Sequence, residues 1–353
     1  MEYDKHLFFF TSGVKTKTKT YKMKTRKILF LFLIPALFAC TPKPLTNPAQ
    51  ILKADDALDE IVPQNAELEI IDTSFQFTEG PVWNADGFLL FSDIPANKII
   101  KWEPGKGLST YLEPSDNTNG LIYDNEGSLV MCSHSGRAVR IQNSDGSLTD
   151  LAHKYRGLRL NSPNDLIINS KGSIYFTDPC WGLKGLEESA DKEIPFNGVY
   201  LLNGEGLSVI DTSLWRPNGI TLSPDQKTLY VADMFINNTD EIKVLYRYEL
   251  DDNGNPLSKS LMTVSNPKDE ILGKESGFDG IKTDIKGNIY CTGRHGIVIL
   301  SSEGKYLGTI KTPSSPANCG WGDSDFKTLY ITARNDLYRI RLNIEGFSPQ
   351  RNF

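Results

Sequence analysis

The chain has 353 residues, with 38 Lys/Arg against 44 Asp/Glu and a net charge of −6. Residues 1–39 hold eight of the basic and two of the acidic residues, so the rest of the chain carries −12. An acidic surface without a basic stripe argues against nucleic acid as a partner, and the absence of any Cys-x-x-Cys among the five cysteines argues against a zinc knuckle.

The N-terminus reads as a leader, 1–40. Met23 is the better start: Met23-Lys-Thr-Arg-Lys27 precedes the apolar run from Ile28 to Ile34 and the segment Leu37-Phe-Ala-Cys40. A basic patch, a short apolar core and a small residue before the cut form a secretory signal, and the run is too short for a comfortable bilayer crossing. Leu37-Phe-Ala-Cys40 resembles a bacterial lipobox, which makes Cys40 the lipidated residue. The expected location is the bacterial cell envelope, with a lipid anchor in the membrane. Residues 41–65 are expected to be a tether, because Pro42, Pro44 and Pro48 favour extended chain, with a short acidic helix within 51–62. One domain, 66–345, and a tail, 346–353, follow.

Within that domain one unit recurs. Gly87-Phe-Leu-Leu-Phe-Ser-Asp93, Gly127-Ser-Leu-Val-Met-Cys-Ser-His134, Gly172-Ser-Ile-Tyr-Phe-Thr-Asp178, Lys227-Thr-Leu-Tyr-Val-Ala-Asp233, Gly287-Asn-Ile-Tyr-Cys-Thr-Gly293 and Lys327-Thr-Leu-Tyr-Ile-Thr-Ala333 share one pattern. Anchored on Phe91, Cys132, Phe176, Val231, Cys291 and Ile331, the spacings are 41, 44, 55, 60 and 40 residues. Units of that length, rich in Tyr, Ile, Val and Thr, predict four-stranded blades, hence an all-β six-bladed propeller. The longer third and fourth units predict extra loops near 179–197 and 234–243. The strand at 66–72 should complete the sixth blade beside 337–342 and so remove an open sheet edge.

A polar residue followed by a turn residue lies upstream of each anchor: Glu79-Gly80, Asn119-Gly120, Asn164-Asp165, Asn218-Gly219, Asp279-Gly280 and Cys319-Gly320, with Asn318 just before the last. Each landmark opens an innermost strand, so the six side chains form a ring at one mouth of the central channel. Asn-Gly is also an ordinary turn former, but six in register point to a site. Two carboxylates with several amide oxygens suit a hard cation, calcium or another divalent ion. The expected metal ligands are Glu79, Asn164, Asn218 and Asp279, with Asn119 facing substrate.

At these residues the chain resembles the senescence-marker-protein/gluconolactonase/luciferin-regenerating-enzyme-like propellers. The matching stretches are Glu79-Gly-Pro-Val-Trp83, Asn119-Gly-Leu121, Asn161-Ser-Pro-Asn-Asp165, Arg216-Pro-Asn-Gly219 and Phe278-Asp-Gly280. The resemblance implies a divalent cation, usually calcium, on Glu79, Asn164, Asn218 and Asp279. It also implies Asp279 as general base and small lactones, sugar lactones above all, as substrates. His134 is a second candidate for proton transfer. Asn119, Asn164, Trp181 and His295 are candidate substrate contacts, and a monomer is expected. The alternative is a non-catalytic envelope propeller that binds a sugar acid or peptide.

Overall fold

The computed structural model describes residues 13, 15–20, 45–234, 243–263 and 277–352. The apolar run of the leader and Cys40 lie outside the described residues, as does most of the loop expected at 234–243.

Six antiparallel sheets follow one another along the chain. The first blade is Thr78–Asn84, Phe88–Asp93, Lys98–Glu103 and Gly107–Leu112; the second is Thr118–Tyr123, Leu129–Ser133, Ala138–Gln142 and Leu148–Ala152. The third is Leu166–Ile168, Ile174–Asp178, Gly198–Asn203 and Gly206–Asp211; the fourth is Pro217–Leu222, Thr228–Asp233, Lys243–Leu250 and Pro256–Thr263. The fifth is Ile281–Thr283, Ile289–Gly293, Gly296–Leu300 and Tyr306–Lys311; the sixth is Asn318–Gly322, Thr328–Ala333 and Asp336–Arg341. Local chemistry fixes the hairpins. In the first blade Asn84 accepts from Asp86 N on its side chain and from Gly87 N on its carbonyl, and Gly87 takes the φ of +90° that closes the turn. Alternate residues then pack between blades: Leu89 and Phe91 face Tyr330 of the sixth, and Leu90 faces Leu121 and Met131 of the second.

Glu67–Asp72 pairs antiparallel with Asp336–Arg341, so the N-terminal side of the domain completes the sixth blade as expected. The tether expected over 41–65 is corrected for its described part. Leu45–Pro48 adds a further strand to the sixth blade, and Ile51–Lys53 pairs with the outer strand of the fifth. After them the short 3₁₀ helix Asp56–Glu60 buries Leu58, and Ile61 and Val62 follow it into a core with Leu307, Ile310 and Trp321. Pro48 ends an edge strand, where a missing N–H costs no ladder bond. The tail also docks in part: Phe347 N donates to Thr283 O, and Gln350 Nε2 donates to Ile168 O.

Candidate active site at the channel mouth

Neighbouring inner strands are tied together at the mouth. Gly120 N donates to Asn164 O (2.8 Å), Gly219 N to Asp279 O (3.1 Å) and Gly280 N to Ala317 O (2.8 Å). In the first, third and fifth blades the hydroxyl after the anchor does the same work: Ser92 Oγ bonds Asn119 O (2.7 Å), Thr177 Oγ1 bonds Asn218 O (2.8 Å) and Thr292 Oγ1 bonds Ala317 O (2.9 Å). This approach leaves no room for a side chain at Gly219, whose Cβ would lie 2.3 Å from Asp279 O. The ring is therefore Glu79, Asn119, Asn164, Asn218, Asp279 and Ala317. The sixth landmark, read in the sequence as Cys319-Gly320, is corrected to Ala317-Asn318. The cause is the sixth hairpin: Trp321 pairs with Leu329, whereas in the fifth blade Thr283 already pairs with Ile289, so the sixth turn is two residues longer.

Glu79, Asn119, Asn164 and Asn218 are buried, and Asp279 is half-buried. In the first, second and fourth blades the strand register slips at the landmark, between Glu79 and Val82, Thr118 and Leu121, and Pro217 and Ile220. Such bulges re-aim side chains. Glu79 Oε2 accepts from Gly80 N and from Asn318 Nδ2, both at 2.9 Å. Burial and then the charge of Asp165 push its carboxyl up to about 7. Asp279, bonded by the Asn218 side chain, is raised well above the ordinary carboxylate range by desolvation and then by Glu79 and Asp165. The structure thus brings Glu79, Asn218 and Asp279 into one electrostatic neighbourhood, with Asn164 on the same ring.

Three residues beneath the ring escaped the sequence reading of the site. Where four of the landmarks carry glycine, the third blade has Asp165 and the sixth has Asn318. These blades are opposite each other in the sixfold arrangement, and Asn318 Nδ2 reaches Asp165 Oδ2 at 3.4 Å. Lys282 Nζ joins them, 3.5 Å from Asp165 Oδ2 and 3.4 Å from Asn318 Oδ1, and donates to Ile281 O at 3.0 Å. The signal was present in the repeat as two breaks in a glycine column and one lysine on an otherwise uncharged inner strand.

His134 stands at the repeat position of Asp93, Asp178 and Asp233. Those carboxylates cap the backbone entering their own blade: Asp93 accepts from Phe77 N (3.0 Å), Asp178 from Asn161 N (2.8 Å) and Asp233 from Arg216 N (2.8 Å). His134 instead turns to the ring, with Nε2 3.3 Å from Asn119 Nδ2. Burial lowers its pKa to about 4, so the imidazole is neutral near pH 7. Asn119 Oδ1 is buried with no hydrogen-bond partner, a ring atom ready to accept from a ligand or face a cation. The third-blade loop covers this corner: a Cβ on Gly182 would lie 2.7 Å from His134 Cβ. In that loop Trp181 has one ring face taken by the Arg216 guanidinium, 4.4 Å from the ring, and Arg216 forms a two-pronged ion pair with Glu187 at 2.6 and 2.7 Å.

His295 is not at the ring. Gly293 pairs with Gly296, which leaves Arg294 and His295 as the exposed tip of a two-residue turn. His295 there lines a separate cavity of about 820 Å³ between the outer strands of the fifth and sixth blades, with Leu52, Leu68, Ile70 and Lys311. Among the described residues no three His, Cys, Asp or Glu side chains are grouped to hold a metal by themselves. A cation at the mouth would therefore need the amide oxygens of the ring as well as Glu79 and Asp279.

The model of the "SMP-30/Gluconolactonase/LRE-like region" matches residues 77–335. A gluconolactonase of Zymomonas mobilis is 35% identical over 84% of this chain and 87% of its own length. The solved structure of a Xanthomonas campestris gluconolactonase superimposes with a TM-score of 0.74 at 30% identity, covering 86% of this chain and 99% of that one. A regucalcin from Agrobacterium tumefaciens, described as a calcium-binding protein, shares the fold at a TM-score of 0.64 and 18% identity, covering 79% of this chain and 95% of that one. With the family model matching residues 77–335 and the family stretches in register on the first five blades, the chain belongs to the SMP-30/gluconolactonase/LRE-like family.

Proposed function

We propose that this protein is a lactone hydrolase that opens small lactones, sugar lactones such as gluconolactone foremost. A divalent cation, calcium by the chemistry of the donors, would be held by Glu79, Asn164, Asn218 and Asp279. The observation that carries the reading is the ring itself: buried Glu79, half-buried Asp279 and three buried amides from successive blades meet at one mouth, in a chain 35% identical to a gluconolactonase. The residues suit a hard cation, because their donors are oxygens and Asn119 Oδ1 is left unpartnered beside them. When bound, such an ion polarises a lactone carbonyl as a Lewis acid and steadies the developing oxyanion.

The chain's own residues supply the rest. Asp279, oriented by the Asn218 side chain, takes a proton from the attacking water as general base; a carboxylate beside a bound cation is a weak base, so the positioning of the water supplies part of the effect. Neutral His134 offers a second proton carrier. With Asn119 Nδ2 donating to its Nε2, the ring proton lies on Nδ1. Asn119 and Asn164 orient the substrate's polar groups. Trp181 and the loop clamped by Arg216 and Glu187 wall one side and exclude water.

We place the mature protein at the cell envelope, lipidated at Cys40 after removal of a signal peptide, acting as a monomer. The reaction is tested by proton release on a panel of lactones with purified 41–353, with and without EDTA. Turnover lost with EDTA and restored by calcium, and abolished in Asp279→Ala, is expected. Metal-independent turnover, or wild-type rates in Asp279→Ala, would sink the mechanism. Absence of turnover with calcium bound would favour a sugar-acid binder.

A further inference from the structure

We infer that Lys282 is a built-in counter-cation for the ring: its ammonium and a divalent ion share one set of carboxylates from opposite sides. The inference deepens the cation reading and rests on it in part; its metal-free arm does not.

Asn318 Nδ2 joins two carboxylates, Glu79 Oε2 at 2.9 Å and Asp165 Oδ2 at 3.4 Å, and Asp279 stands on the same ring. Ionised together the three carboxylates carry three negative charges in a buried channel, where like charges repel strongly. Lys282 Nζ returns one positive charge from below. It touches Asp165 directly and Glu79 through Asn318, whose Nδ2 spans Asp165 and Glu79. The remaining two negative charges are what one divalent cation cancels. Arg334 acts on Asp279 from farther away.

The lysine is placed for this task by the repeat. It pairs across its hairpin with Tyr290. The residues paired with the equivalent tyrosines are Ile167 on Tyr175, Thr221 on Tyr230 and Gly320 on Tyr330, all uncharged. Among the described residues at this repeat position Lys282 is the one cation; it lies on the strand that follows Asp279, beside Asp165 and Asn318. Lys282 is only partly exposed, and its ammonium is held by Asp165 Oδ2, Asn318 Oδ1 and Ile281 O.

The test compares wild type, Lys282→Met, Lys282→Arg, Asp165→Asn and the double variant by thermal unfolding in EDTA and in calcium, with calcium affinity measured by calorimetry. In EDTA the Met variant is expected to melt about 5 °C or more below wild type, with most of the loss recovered by the Arg variant and by the double variant. In calcium the loss should largely vanish, and calcium should bind the Met variant roughly tenfold or more tightly. A Met variant that folds only with calcium supports the same conclusion. Equal losses with and without calcium, weaker calcium binding, or a double variant no more stable than the single would overturn it. If wild type shows no calcium response, the cation reading fails, while a loss in EDTA rescued by Arg and by Asp165→Asn still upholds the counter-cation role.

Discussion

Replacing Glu79 by Gln should change how the metal-free protein responds to pH. Glu79 is moved from an ordinary value of 4.5 to about 7 by burial and by Asp165. A carboxyl raised in the folded state binds its proton more tightly there than in the unfolded chain. Its contribution is fully present below about pH 4.5 and is lost as the pH rises through about 7. The displacement corresponds to about 3 kcal/mol. In EDTA, wild type should therefore lose about that much stability between pH 4.5 and 8 from this residue. Asp178, which burial raises to about 7, and Asp279, raised well above its ordinary range, add losses of the same sign. The informative quantity is the difference between the two proteins. Urea unfolding across that pH range should show Glu79→Gln level with wild type at the acid end and more stable at pH 8. Stability curves that stay parallel from pH 4.5 to 8 would refute the argument that burial and the neighbouring Asp165 raise the Glu79 carboxyl.

Two further outcomes follow from the geometry. Leu58→Ala should cost about 2–5 kcal/mol in unfolding of 41–353, because Leu58 is 2% exposed and packs against Gly308; a loss under about 0.5 kcal/mol would return that segment to a tether. Burial holds His134 neutral down to about pH 4, so His134→Gln should leave the pH profile of lactone hydrolysis near 6.5 unchanged and lower kcat more than it raises KM; a titration near 6.5 that disappears in the variant would contradict the burial.

The fold was legible because its unit repeats, and so were five of the six ring positions. Glu79, Asn119, Asn164, Asn218 and Asp279 fell into register once the hairpins were aligned on Phe91, Cys132, Phe176, Val231 and Cys291. The sixth slipped because two extra turn residues lie between Trp321 and Leu329, and a count from the anchor cannot see where a turn grows. Asp165, Asn318 and Lys282 come from three blades and meet only across the channel, a relation that strand periodicity does not encode. His295 shared a repeat neighbourhood with His134, yet a two-residue turn points it away from the ring. The prolines at 41–48 argued for extended chain, and at Pro48 extended chain is what the structure has, bound to a sheet edge instead of solvent.

The sixth blade joins Glu69 to Arg339 across 270 positions of sequence. Closing a loop of that length costs about 5 kcal/mol of chain entropy before any of its contacts form, and topologies dominated by such distant pairings fold slowly. The circle cannot shut until the last strand has been made. A chain exported through a membrane would thus cross with its final blade unclosed and join its ends only on the far side. Removing either terminus would leave the same gap in the circle, so the two ends of this chain fail together.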